Sequence, residues 1–554
     1  MTALVTKHLP LVAGAPDGIE KLRGLIQDLA IQGKLVAQDA NEETSSKLLA
    51  QIDSVKGDFL RKSELARFNS LAGDTTDICK YTLPKTWSWR RLGALGLVGS
   101  SSRVHQKDWQ TSGVPFYRTR EIVQLARNGA VDPELFISED LYLELTSSGP
   151  VPVEGDIMIT GVGTIGVPYI VREGERFYFK DASVLIFKNY FRLNSEYLAL
   201  VFSSPYWDQL IHQESMGTTV HTLTIGRASA IPIPLPPLAE QHRIVAKVDE
   251  LMALCDRLEA DQADAEAAHA QLVQALLDSL TQATDAADFR ASWQRLSEHF
   301  HTLFTTEASI EALKRTVLRL AFMGKLVQQL DDADASSAML ETIAAAKAQL
   351  SDAGRLRQVD GSVPATRADV PFDFPAAWQV ARMADLCEPV TSGSTPPSSE
   401  MDECEGIPFL KVYNIREQRI DFDYKRQFVA EAFHFAKMKR SALKPNDVVM
   451  NIVGPPLGKT AIIPDDYATW NCNQAIVFFR LIAPMSPRYV HLFLCEGSFL
   501  EGIDLIGTAG QDNISVTKSR NIVMPVPTAA EQHRIVAKVD ELMALCDQLK
   551  AQLQ

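Results

Sequence analysis

Two glycine-rich stretches of the sequence resemble motifs that bind phosphate groups. Gly161–Gly166 reads GVGTIG and has the spacing of a dinucleotide-binding turn, but that motif requires a helix that begins at the glycines. The residues that follow are VPYIV, which favour a strand. Gly454–Thr460 reads GPPLGKT, one residue too short for a nucleotide-binding loop, and its two prolines lack the N–H groups that bind phosphate. We therefore predict a turn between two strands at Gly161–Gly166 and reject a phosphate loop at Gly454–Thr460.

Acidic and sulfur-containing side chains form no catalytic or metal-binding pattern either. Asp156 could begin the acidic pair of a nuclease, but the nearby Glu173 and Glu175 come without the lysine that such a site needs. The seven cysteines form no C-x-x-C pair and no Cys/His spacing suited to zinc, so we interpret them as reduced and mostly buried thiols. No methyl-transfer motif is present. The sequence therefore predicts a non-catalytic chain that holds no metal or cofactor.

The composition is that of an ordinary globular protein. Of the 554 residues, 46% are hydrophobic and 22% are charged, and the length suits two sizeable domains with helical connectors. The sequence has no apolar run long enough to cross a membrane and no N-terminal signal segment. These features predict a cytoplasmic protein that does not act at a membrane.

A stretch of 17 residues, EQHRIVAKVDELMALCD, occurs at Glu240–Asp256 and again, unchanged, at Glu531–Asp547. The same offset of 291 positions brings other segments into register: Ile26–Gln38 with Val317–Gln329, Pro84 with Pro375, and Trp87 with Trp378. The chain is therefore two copies of one unit. The second copy ends after its first helix, so we expect the N-terminus to supply the remainder and the order of elements to be that of a circle.

The doubled stretch begins a heptad seam. Apolar or small residues recur at alternating steps of four and three from Ile244 to Leu276, which predicts a helix of about 40 residues and about 60 Å. A seam of this length needs a partner helix. We predict an antiparallel hairpin with Ile310–Met323, which ends at Gly324, a residue suited to the left-handed turn after a helix.

The repeat predicts a second pair of helices at the two ends of the chain. Ile19–Leu29 is followed by Gly33 and is equivalent to Ile310–Met323. Ile535–Leu549 repeats the start of the seam. By this argument the C-terminal helix pairs with the N-terminal helix, and the chain closes on itself with pseudo-twofold symmetry.

The two regions between the helices, Tyr81–Pro237 and Phe372–Pro527, are called here the first head and the second head. Four runs are strand-like and are separated by Gly, Pro and Ser clusters: VPFYRTREI (114–122), GDIMIT (155–160), FYFKDASVLIF (177–187) and NQAIVFFRLI (473–482). A helix follows in each head, the first capped by Ser195 and the second with Pro487 in its first turn. The heads share this pattern but few identities, which suggests that they recognise different ligands.

Together these features resemble the specificity subunit of a type I restriction-modification enzyme. The resemblance is carried by GKLVAQD after a helix, the GTIG turn, the closing IPIPLPPLAEQHRIVAKVDELMALCD and the alternation of heads and helices. It implies that each head is a target recognition domain for one half of a bipartite DNA site. It also implies helices that set the spacer and bind two methyltransferase subunits, and restriction or translocase subunits that join them. Catalysis, with S-adenosylmethionine, ATP and Mg²⁺, would belong to those partners. The second head departs from the family at the turn, with GPPLG.

The predicted fold class is α+β, with two α/β target recognition domains separated by two antiparallel coiled-coil helical pairs in a pseudo-twofold circular repeat. The predicted boundaries are 1–80 for an N-terminal helical repeat region, 81–237 and 372–527 for the recognition domains, 238–371 for a central helical repeat region containing the long coiled-coil hairpin, and 528–554 for a C-terminal helix that pairs with the N-terminal region.

The distribution of charge bears on DNA binding. The formal net charge is −14, whereas the first head has 14 basic and 15 acidic residues and the second has 15 and 18. Most of the negative charge therefore lies on the helical regions, where it fits protein partners better than phosphate. Because affinity for DNA grows with the number of phosphates neutralised, we expect this chain alone to bind DNA weakly.

Base edges in the major groove are read by Arg or Lys at guanine and by Asn or Gln at adenine. Candidate DNA-binding residues of the first head are Arg103, His105, Lys107, Arg118, Arg120, Thr218, Thr219, His221 and Arg227. Those of the second head are Lys411, Tyr413, Asn414, Arg416, Arg419, Lys437, Lys439, Arg440, Gln511, Asn513 and Lys518. The loops FYRTRE and KVYNIREQR, which each follow a Pro-Phe strand, are the leading candidates. For each residue, solvation at the surface and contact with phosphate remain alternatives to base contact.

Two other readings of the whole chain remain. The first is a protein-interaction scaffold whose two divergent heads bind ligands other than DNA. The second, a self-contained endonuclease or methyltransferase, is disfavoured by the missing motifs. Trp87 and Trp378, at the entrance of each head, are interpreted as core anchors, with stacking on bases as the alternative.

Overall fold

The computed structural model describes residues 15, 17–39, 41–61, 81–147, 149–213, 222–329, 333–352, 364–388, 390–501 and 513–553. The chain divides into two compact units, Met1–Glu266 and Ala267–Gln554. Among the described residues, no helix combines the length and the apolar character needed to cross a membrane.

The first unit contains two N-terminal helices, the first head and the beginning of the long helix. Its helices are α1 (Gly18–Ile31), α2 (Ser45–Arg61), α3 (Leu92–Leu95), α4 (Thr119–Asn128), α5 (Glu139–Thr146), α6 (Ser195–Phe202), α7 (Pro205–His212), α8 (Ile225–Ala230) and the long α9 (Leu238–Thr281). Its strands are β1 (Ser88–Arg91), β2 (Leu97–Ser100), β3 (Val114–Tyr117), β4 (Phe136–Ile137), β5 (Ile157–Thr160), β6 (Pro168–Ile170), β7 (Tyr178–Phe179), β8 (Val184–Lys188) and β9 (Pro232–Leu235).

The first head is built on two small sheets and a closing strand pair. The order β2-β8-β5-β6 is antiparallel throughout, and β4-β3-β7 is mixed because β3 and β7 run parallel. Strands β5 and β8 are buried along their whole length, as expected of central strands covered on both faces. Strand β1 pairs antiparallel with β9, which brings the two ends of the head together next to the start of α9.

In the first unit, α1 packs antiparallel to the start of α9. Leu22 and Ile26 share one buried core with Ile244, Val248 and Cys255. The Arg23 guanidinium also lies 2.6 Å from Asp256 and 2.9 Å from Glu259. The prediction that the seam from Ile244 pairs with residues 310–323 is therefore wrong for this part of the helix, whose partner is α1.

The second unit contains the remaining helices and the second head. Its helices are α10 (Ala286–Glu298), α11 (Phe300–Leu303), α12 (Glu307–Phe322), α13 (Ala333–Asp352), α14 (Met383–Leu386), α15 (Glu431–Lys437), α16 (Pro487–Glu496), α17 (Val516–Arg520) and α18 (Ala529–Ala551). Its strands are β10 (Gln379–Arg382), β11 (Thr391–Ser392), β12 (Met401–Asp402), β13 (Ile407–Leu410), β14 (Ile415–Arg416), β15 (Arg419–Ile420), β16 (Phe428–Val429), β17 (Ala442–Leu443), β18 (Val448–Asn451), β19 (Thr460–Ile462), β20 (Trp470–Cys472), β21 (Ile476–Phe479) and β22 (Val523–Val526).

The second head repeats the plan of the first with a larger mixed sheet. The antiparallel order β11-β21-β18-β19 corresponds to the first sheet of the first head, and β10 pairs with β22 at the entrance. The mixed sheet has the order β12-β16-β13-β20-β17, in which β13 and β20 run parallel. Strands β14 and β15 form a separate hairpin that follows β13.

In the second unit the C-terminal helix α18 packs against α12. Cys546 shares a core with Ile310, Leu313 and Val317, and Lys314 lies 2.7 Å from Asp547. The later part of α9, from Val273 to Leu280, joins the same core. The repeat predicts the N-terminal region as the partner of the C-terminal helix, whereas the structure packs this helix against α12.

The exchanged partners have a physical explanation. The seam residues at the start of α9 recur unchanged in α18, and α1 and α12 carry similar apolar faces. Burial of these faces is therefore satisfied whether each seam pairs within its own copy of the repeat or with the other copy. The sequence pattern cannot distinguish the two arrangements, and in the fold the doubled start of each seam pairs with the helix of its own copy.

The ends of the helices agree with the sequence-based prediction in two cases and differ from it in one. Gly33 and Gly324 follow their helices with left-handed φ values of 67° and 69°, as predicted. Pro487 occupies the first turn of α16, also as predicted. The cap of α6 is Asn194, whose side chain accepts the Tyr197 N–H, and not Ser195.

The pattern of VPFYRTREI predicts a strand throughout, and the structure differs. The strand ends at Tyr117 and α4 begins at Thr119, because Glu121 accepts a hydrogen bond of 2.9 Å from the Arg118 N–H and thereby favours a helix start.

Candidate nucleic-acid interface

The doubled EQHR stretch forms the joint between each head and the helix that follows it. The Trp87 indole donates a 2.9 Å hydrogen bond to Glu240, and the Trp378 indole donates one of 3.1 Å to Glu531. Both tryptophans are buried, which confirms their interpretation as core anchors. Burial raises the pKa of both carboxyl groups, and the hydrogen bond from the indole opposes that shift.

The glutamine of the same stretch completes the joint. Gln241 accepts the Asn194 N–H at 3.2 Å, and its amide donates to the Pro236 carbonyl at 3.0 Å. Gln532 accepts the Ser486 N–H and donates to the Pro527 carbonyl, both at 3.0 Å. The repeated residues therefore hold the two heads on their helices by the same hydrogen bonds.

The acidic residue considered for nuclease chemistry has a structural role. Asp156 forms a buried ion pair with Lys188 and accepts the Asn189 N–H at 3.0 Å. The second head has the corresponding pair, with Arg480 donating to Asp447 at 2.7 Å and 3.0 Å. Both carboxylates are therefore occupied in holding a central strand and are not available for catalysis.

The glycine-rich stretches are turns in both heads. Gly161–Gly166 joins the antiparallel strands β5 and β6, and Gly454–Thr460 joins β18 to β19, so the prediction of a turn and the rejection of a phosphate loop are both confirmed. In each head this turn forms a β-bridge, between Val162 and Thr222 in the first and between Val453 and Asn513 in the second.

Two leading candidates in the first head are neutralised by carboxylates. Arg118 and Arg120 lie 2.7 Å and 3.1 Å from the buried Glu121, and both also pair with Glu134. Burial alone would raise the pKa of Glu121, but the side-chain and backbone hydrogen bonds from Arg118 hold it below its usual value. The two arginines therefore stabilise the start of α4, and contact of the FYRTRE loop with DNA stays a prediction.

The remaining candidates of the first head differ in availability. Arg227 donates to the Thr222 and Ile211 carbonyls, both at 2.8 Å, so it braces the backbone. Arg103, His105 and Lys107 are exposed around a short turn after β2, and among the described residues their side chains have no hydrogen bond or ion pair. Thr218, Thr219 and His221, with Gln511 of the second head, lie outside the described residues.

The leading candidate loop of the second head is a short hairpin. Glu417 and Gln418 connect β14 to β15 with left-handed φ values of 48° and 57°, the conformation that matches the twist of a two-residue hairpin. Asn414 is buried: it accepts the Lys411 N–H at 2.9 Å and donates to the Asp421 and Tyr424 carbonyls. Asn414 therefore braces the hairpin and is not available to a base, which corrects that prediction.

The surface of the hairpin, taken from here on with its flanking residues as 411–426, combines cations with aromatic rings. Tyr413 and Tyr424 are in edge contact, with ring centroids 6.0 Å apart. The Arg416 guanidinium lies 4.4 Å from the Tyr424 ring and 3.3 Å from Asp421, and the Lys425 ammonium lies 5.7 Å and 5.4 Å from the two rings. Arg419 is exposed, and its guanidinium has no partner among the described residues. Such a surface suits contact with phosphates and bases.

A second basic element of this head lies at the end of α15. Lys437, Lys439 and Arg440 are exposed there, close in sequence to Phe435, whose side chain is 52% exposed. Lys518 is half-buried in α17.

Sequence reasoning missed three exposed residues of the second head: Tyr424 and Lys425 of the hairpin, and Phe435 beside the α15 cations. The signal for the first two was the alternation of aromatic and basic residues in DFDYKRQF. In the described part of the chain, no group of three His, Cys, Asp or Glu side chains could hold a metal ion.

The six cysteines for which the structure gives an environment are free thiols. Four of them, Cys255, Cys387, Cys472 and Cys546, are buried, in agreement with the prediction, and Cys404 is exposed.

Comparison with known proteins places the chain in a family. The family described as type I restriction modification DNA specificity domain matches residues 84–267 and 375–554, which is one match in each half. The Escherichia coli type I restriction enzyme EcoEI specificity subunit is 28% identical, over 97% of this chain and 91% of that protein. The EcoAI specificity subunit of the same organism is 29% identical, over 96% and 90%. A crystal structure of the HsdS subunit from Thermoanaerobacter tengcongensis aligns over 86% of this chain and 93% of that one, with 18% identity and a TM-score of 0.39. The chain therefore belongs to the family of type I restriction-modification DNA specificity domains, with one copy of the domain in each half.

Proposed function

We propose that this chain is the DNA-recognition and scaffold subunit of a type I restriction-modification complex, and that each head reads one half of a bipartite site. The observation that carries the proposal is the pair of family matches, one covering each head. The two heads are also joined to their helices by equivalent hydrogen bonds, from Trp87 to Glu240 and from Trp378 to Glu531. Equivalent joints with different surface loops suit two recognition heads that differ in target sequence. The repeated helices that hold the heads, α1 with the start of α9 and α12 with α18, are called here the frame. The alternative of a scaffold with heads for other ligands has no support from the comparisons.

The finer parts of the proposal concern the partners. In it, the helices bind two methyltransferase subunits and set the spacer between half-sites, and restriction or translocase subunits complete a cytoplasmic complex. S-adenosylmethionine, ATP and Mg²⁺ are held by those partners, and this chain performs no catalysis. The acidic helices and the nearly neutral heads suit a subunit whose grip on DNA is completed by its partners. Turnover by the purified chain alone would contradict this division of labour.

Exchange of one head tests whether each head recognises its half of the DNA site independently of the other head. Residues 372–527 are replaced by the corresponding head of another family member, and modified bases are mapped across a genome that carries the partner subunits. We expect one half of the recognised site to change and the other half and the spacer to remain. A change in both halves would show that the heads do not read independently. The matched control is the same exchange at residues 81–237, which should alter the opposite half.

Lengthening the long helix tests its role in the spacer. Four residues, about one helical turn, are inserted within 260–270 of α9. We expect the complex to recognise the same two half-sites with a longer spacer between them. An unchanged spacer in the map of modified bases would refute this role. An insertion of equal length at the open turn around Gly174, where a side chain would meet nothing within 4 Å, serves as the control.

A further inference from the structure

We infer that the hairpin of the second head, residues 411–426, contacts the second half-site, and that Arg419 reads a guanine there. In this assignment Lys411, Arg416 and Lys425 hold the adjacent phosphates. The inference rests on the proposed function and adds to it the residue that determines one position of the target sequence.

The hairpin is held rigidly before any ligand binds. Asn414 ties its base together through three hydrogen bonds to the backbone. The tip is fixed as well, because the Gln418 side chain accepts the Thr460 N–H at 2.8 Å and so joins the turn to β19. Rigid placement matters for a base contact because a side chain must meet two atoms of one base at hydrogen-bond distance.

The local charge is opposite to that of the surrounding head. Residues 411–426 contain five cations and three carboxylates, whereas the second head as a whole has 15 basic and 18 acidic residues. Two of the three carboxylates have a cation of the hairpin beside them, since Asp421 lies near Arg416 and Asp423 pairs with Arg426. The excess of positive charge on this exposed surface is therefore directed outward and suits phosphate oxygens.

The three arginines of the hairpin have different surroundings. The Arg416 guanidinium lies over the Tyr424 ring and beside Asp421, and Arg426 pairs with Asp423. The Arg419 guanidinium has neither an aromatic ring nor a carboxylate beside it among the described residues. Within the described part of the chain its donors have no acceptor, and a free guanidinium is the side chain that binds the O6 and N7 atoms of guanine in a bidentate way.

The first head supplies a matched contrast. At the equivalent place after β3 the arginines are Arg118 and Arg120, which share Glu121 and Glu134. Arg120 is as exposed as Arg416, with about half of each side chain accessible. Arg120→Ala therefore removes an exposed arginine at the same place in the fold without removing a free donor set.

The experiment compares Arg419→Ala, Arg419→Lys, Lys425→Ala and Arg120→Ala in the complex assembled with its partner subunits. We expect Arg419→Ala to weaken binding to the cognate site about 10- to 100-fold, the range of one lost bidentate contact, and to relax one position of the second half-site in the map of modified bases. Arg419→Lys should retain the salt dependence but relax the same position. Lys425→Ala should weaken all sequences equally and lower the salt slope by about 0.9. Arg120→Ala, in the first head, should leave the second half-site unchanged.

The outcomes separate this inference from the proposed function. Should the unaltered complex show no sequence preference, the proposed function fails. Should the unaltered complex be specific while Arg419→Ala recognises the same site with the same affinity, only the hairpin assignment is overturned. An equal loss at all sequences would make Arg419 a phosphate contact and would also overturn its assignment as a base reader. Unchanged melting temperatures and co-purification with the partners verify that each variant is folded and assembled.

Discussion

The joints of the two repeats and the reading surfaces of the two heads diverge to very different extents. Both joints use a tryptophan indole on a buried glutamate and a glutamine that accepts one backbone N–H and donates to one carbonyl. After the equivalent strands β3 and β13, by contrast, the first head forms the helix α4 and the second head forms the hairpin of β14 and β15. The chain has therefore diverged most where it leaves the sheet, whereas the indole and glutamine contacts are kept where each head meets its helix.

The cores of the heads lie between these extremes. Each core contains one buried ion pair at the same place, but the cation is Lys188 in the first head and Arg480 in the second. The lysine side chain is 8% exposed and the arginine 20%. Both heads keep a buried ion pair at this place, but the exposure of its cation differs. Matched substitutions in the two heads can therefore measure how far their cores have diverged in stability.

Removal of the buried carboxylates should give the largest effect and should differ between the heads. Asp156→Ala leaves the buried Lys188 ammonium without its carboxylate and with the Val151 carbonyl, at 2.6 Å, as its remaining acceptor, which should cost the first head about 3–5 kcal/mol. Asp447→Ala should cost about 2 kcal/mol, because Arg480 reaches solvent and, besides the Ala442 carbonyl at 2.9 Å, still has the Glu388 carboxylate at 3.7 Å. Hydrogen exchange of the central strands of each head measures the loss.

The double variant Asp156→Leu with Lys188→Met serves as the control for that experiment, since it removes both charges and should recover most of the stability. Equal losses in the two heads would contradict the difference in environment on which the prediction depends.

Substitution at the helix ends should give equal effects in the two copies of the frame. A Cβ atom at Gly33 would lie 2.5 Å from Pro84, and one at Gly324 would lie 2.3 Å from Pro375, with left-handed φ at both glycines. Gly33→Ala and Gly324→Ala should each cost about 2–4 kcal/mol from backbone strain and overpacking. Urea unfolding measures both. Gly226→Ala, where a Cβ would meet nothing within 4 Å, is the control and should not lower the free energy of unfolding. If the loss of unfolding free energy in Gly33→Ala and the loss in Gly324→Ala differed twofold, the two copies of the frame would have diverged.

The frame was predictable because its constraints are local. The repeated stretch at Glu240 and Glu531, the seam that begins at Ile244 and the terminating glycine at Gly324 all act within a few residues of sequence. The partner of each helix could not be derived, since the two copies present nearly the same apolar face. Choice between identical faces depends on the path of the whole chain and not on periodicity.

The sequence identifies the types of side chain that could bind DNA at the candidate site, but it does not show whether each of those side chains is exposed or already bonded. Arg118 and Asn414 have the side chains that read bases, yet one lies 2.7 Å from Glu121 and the other is buried by its own loop. A local signal existed for Arg118, because a glutamate three residues later favours a helix start. No short-range sequence pattern predicts that the Asn414 amide donates a hydrogen bond to the carbonyl of Tyr424, which is ten residues away.

Loss of the indole donor should give an intermediate effect that reveals a difference between the joints. Trp87→Phe leaves Glu240 with a hydrogen bond from Gln38, so a cost of about 1 kcal/mol is expected. Trp378→Phe should cost about 2–3 kcal/mol, since Glu531 loses its side-chain donor and its other carboxylate oxygen already has no partner among the described residues. Urea unfolding monitored by far-ultraviolet circular dichroism measures both.

The exposed Trp293→Phe provides the baseline for these two variants and should change stability by less than about 0.5 kcal/mol. A larger loss at Trp87 than at Trp378 would contradict the account of Gln38 as a second donor.

The smallest effect is expected from Glu531→Gln and depends on pH. Burial raises the pKa of Glu531 in the folded protein, so the fold binds that proton more tightly than the unfolded chain does. The associated stability is complete below the ordinary carboxyl pKa of about 4.5 and is lost as the pH rises through the raised value. A glutamine keeps an acceptor for the Trp378 indole and does not titrate. The melting temperature of Glu531→Gln should therefore exceed that of the unaltered protein by about 1–3 °C near pH 7.5, and the difference should vanish towards pH 4.5.

The matched variant Glu240→Gln should gain less. Its carboxylate accepts hydrogen bonds from both Trp87 and Gln38, and an amide placed there keeps one acceptor oxygen but turns its NH₂ group towards one of the two donors. Melting curves of the two variants between pH 4.5 and 8 therefore compare the joints under one charge change. Parallel curves for Glu531→Gln and the unaltered protein over this range would show that the second joint does not hold a titrating carboxyl group, and its unpartnered oxygen would then carry no energetic consequence.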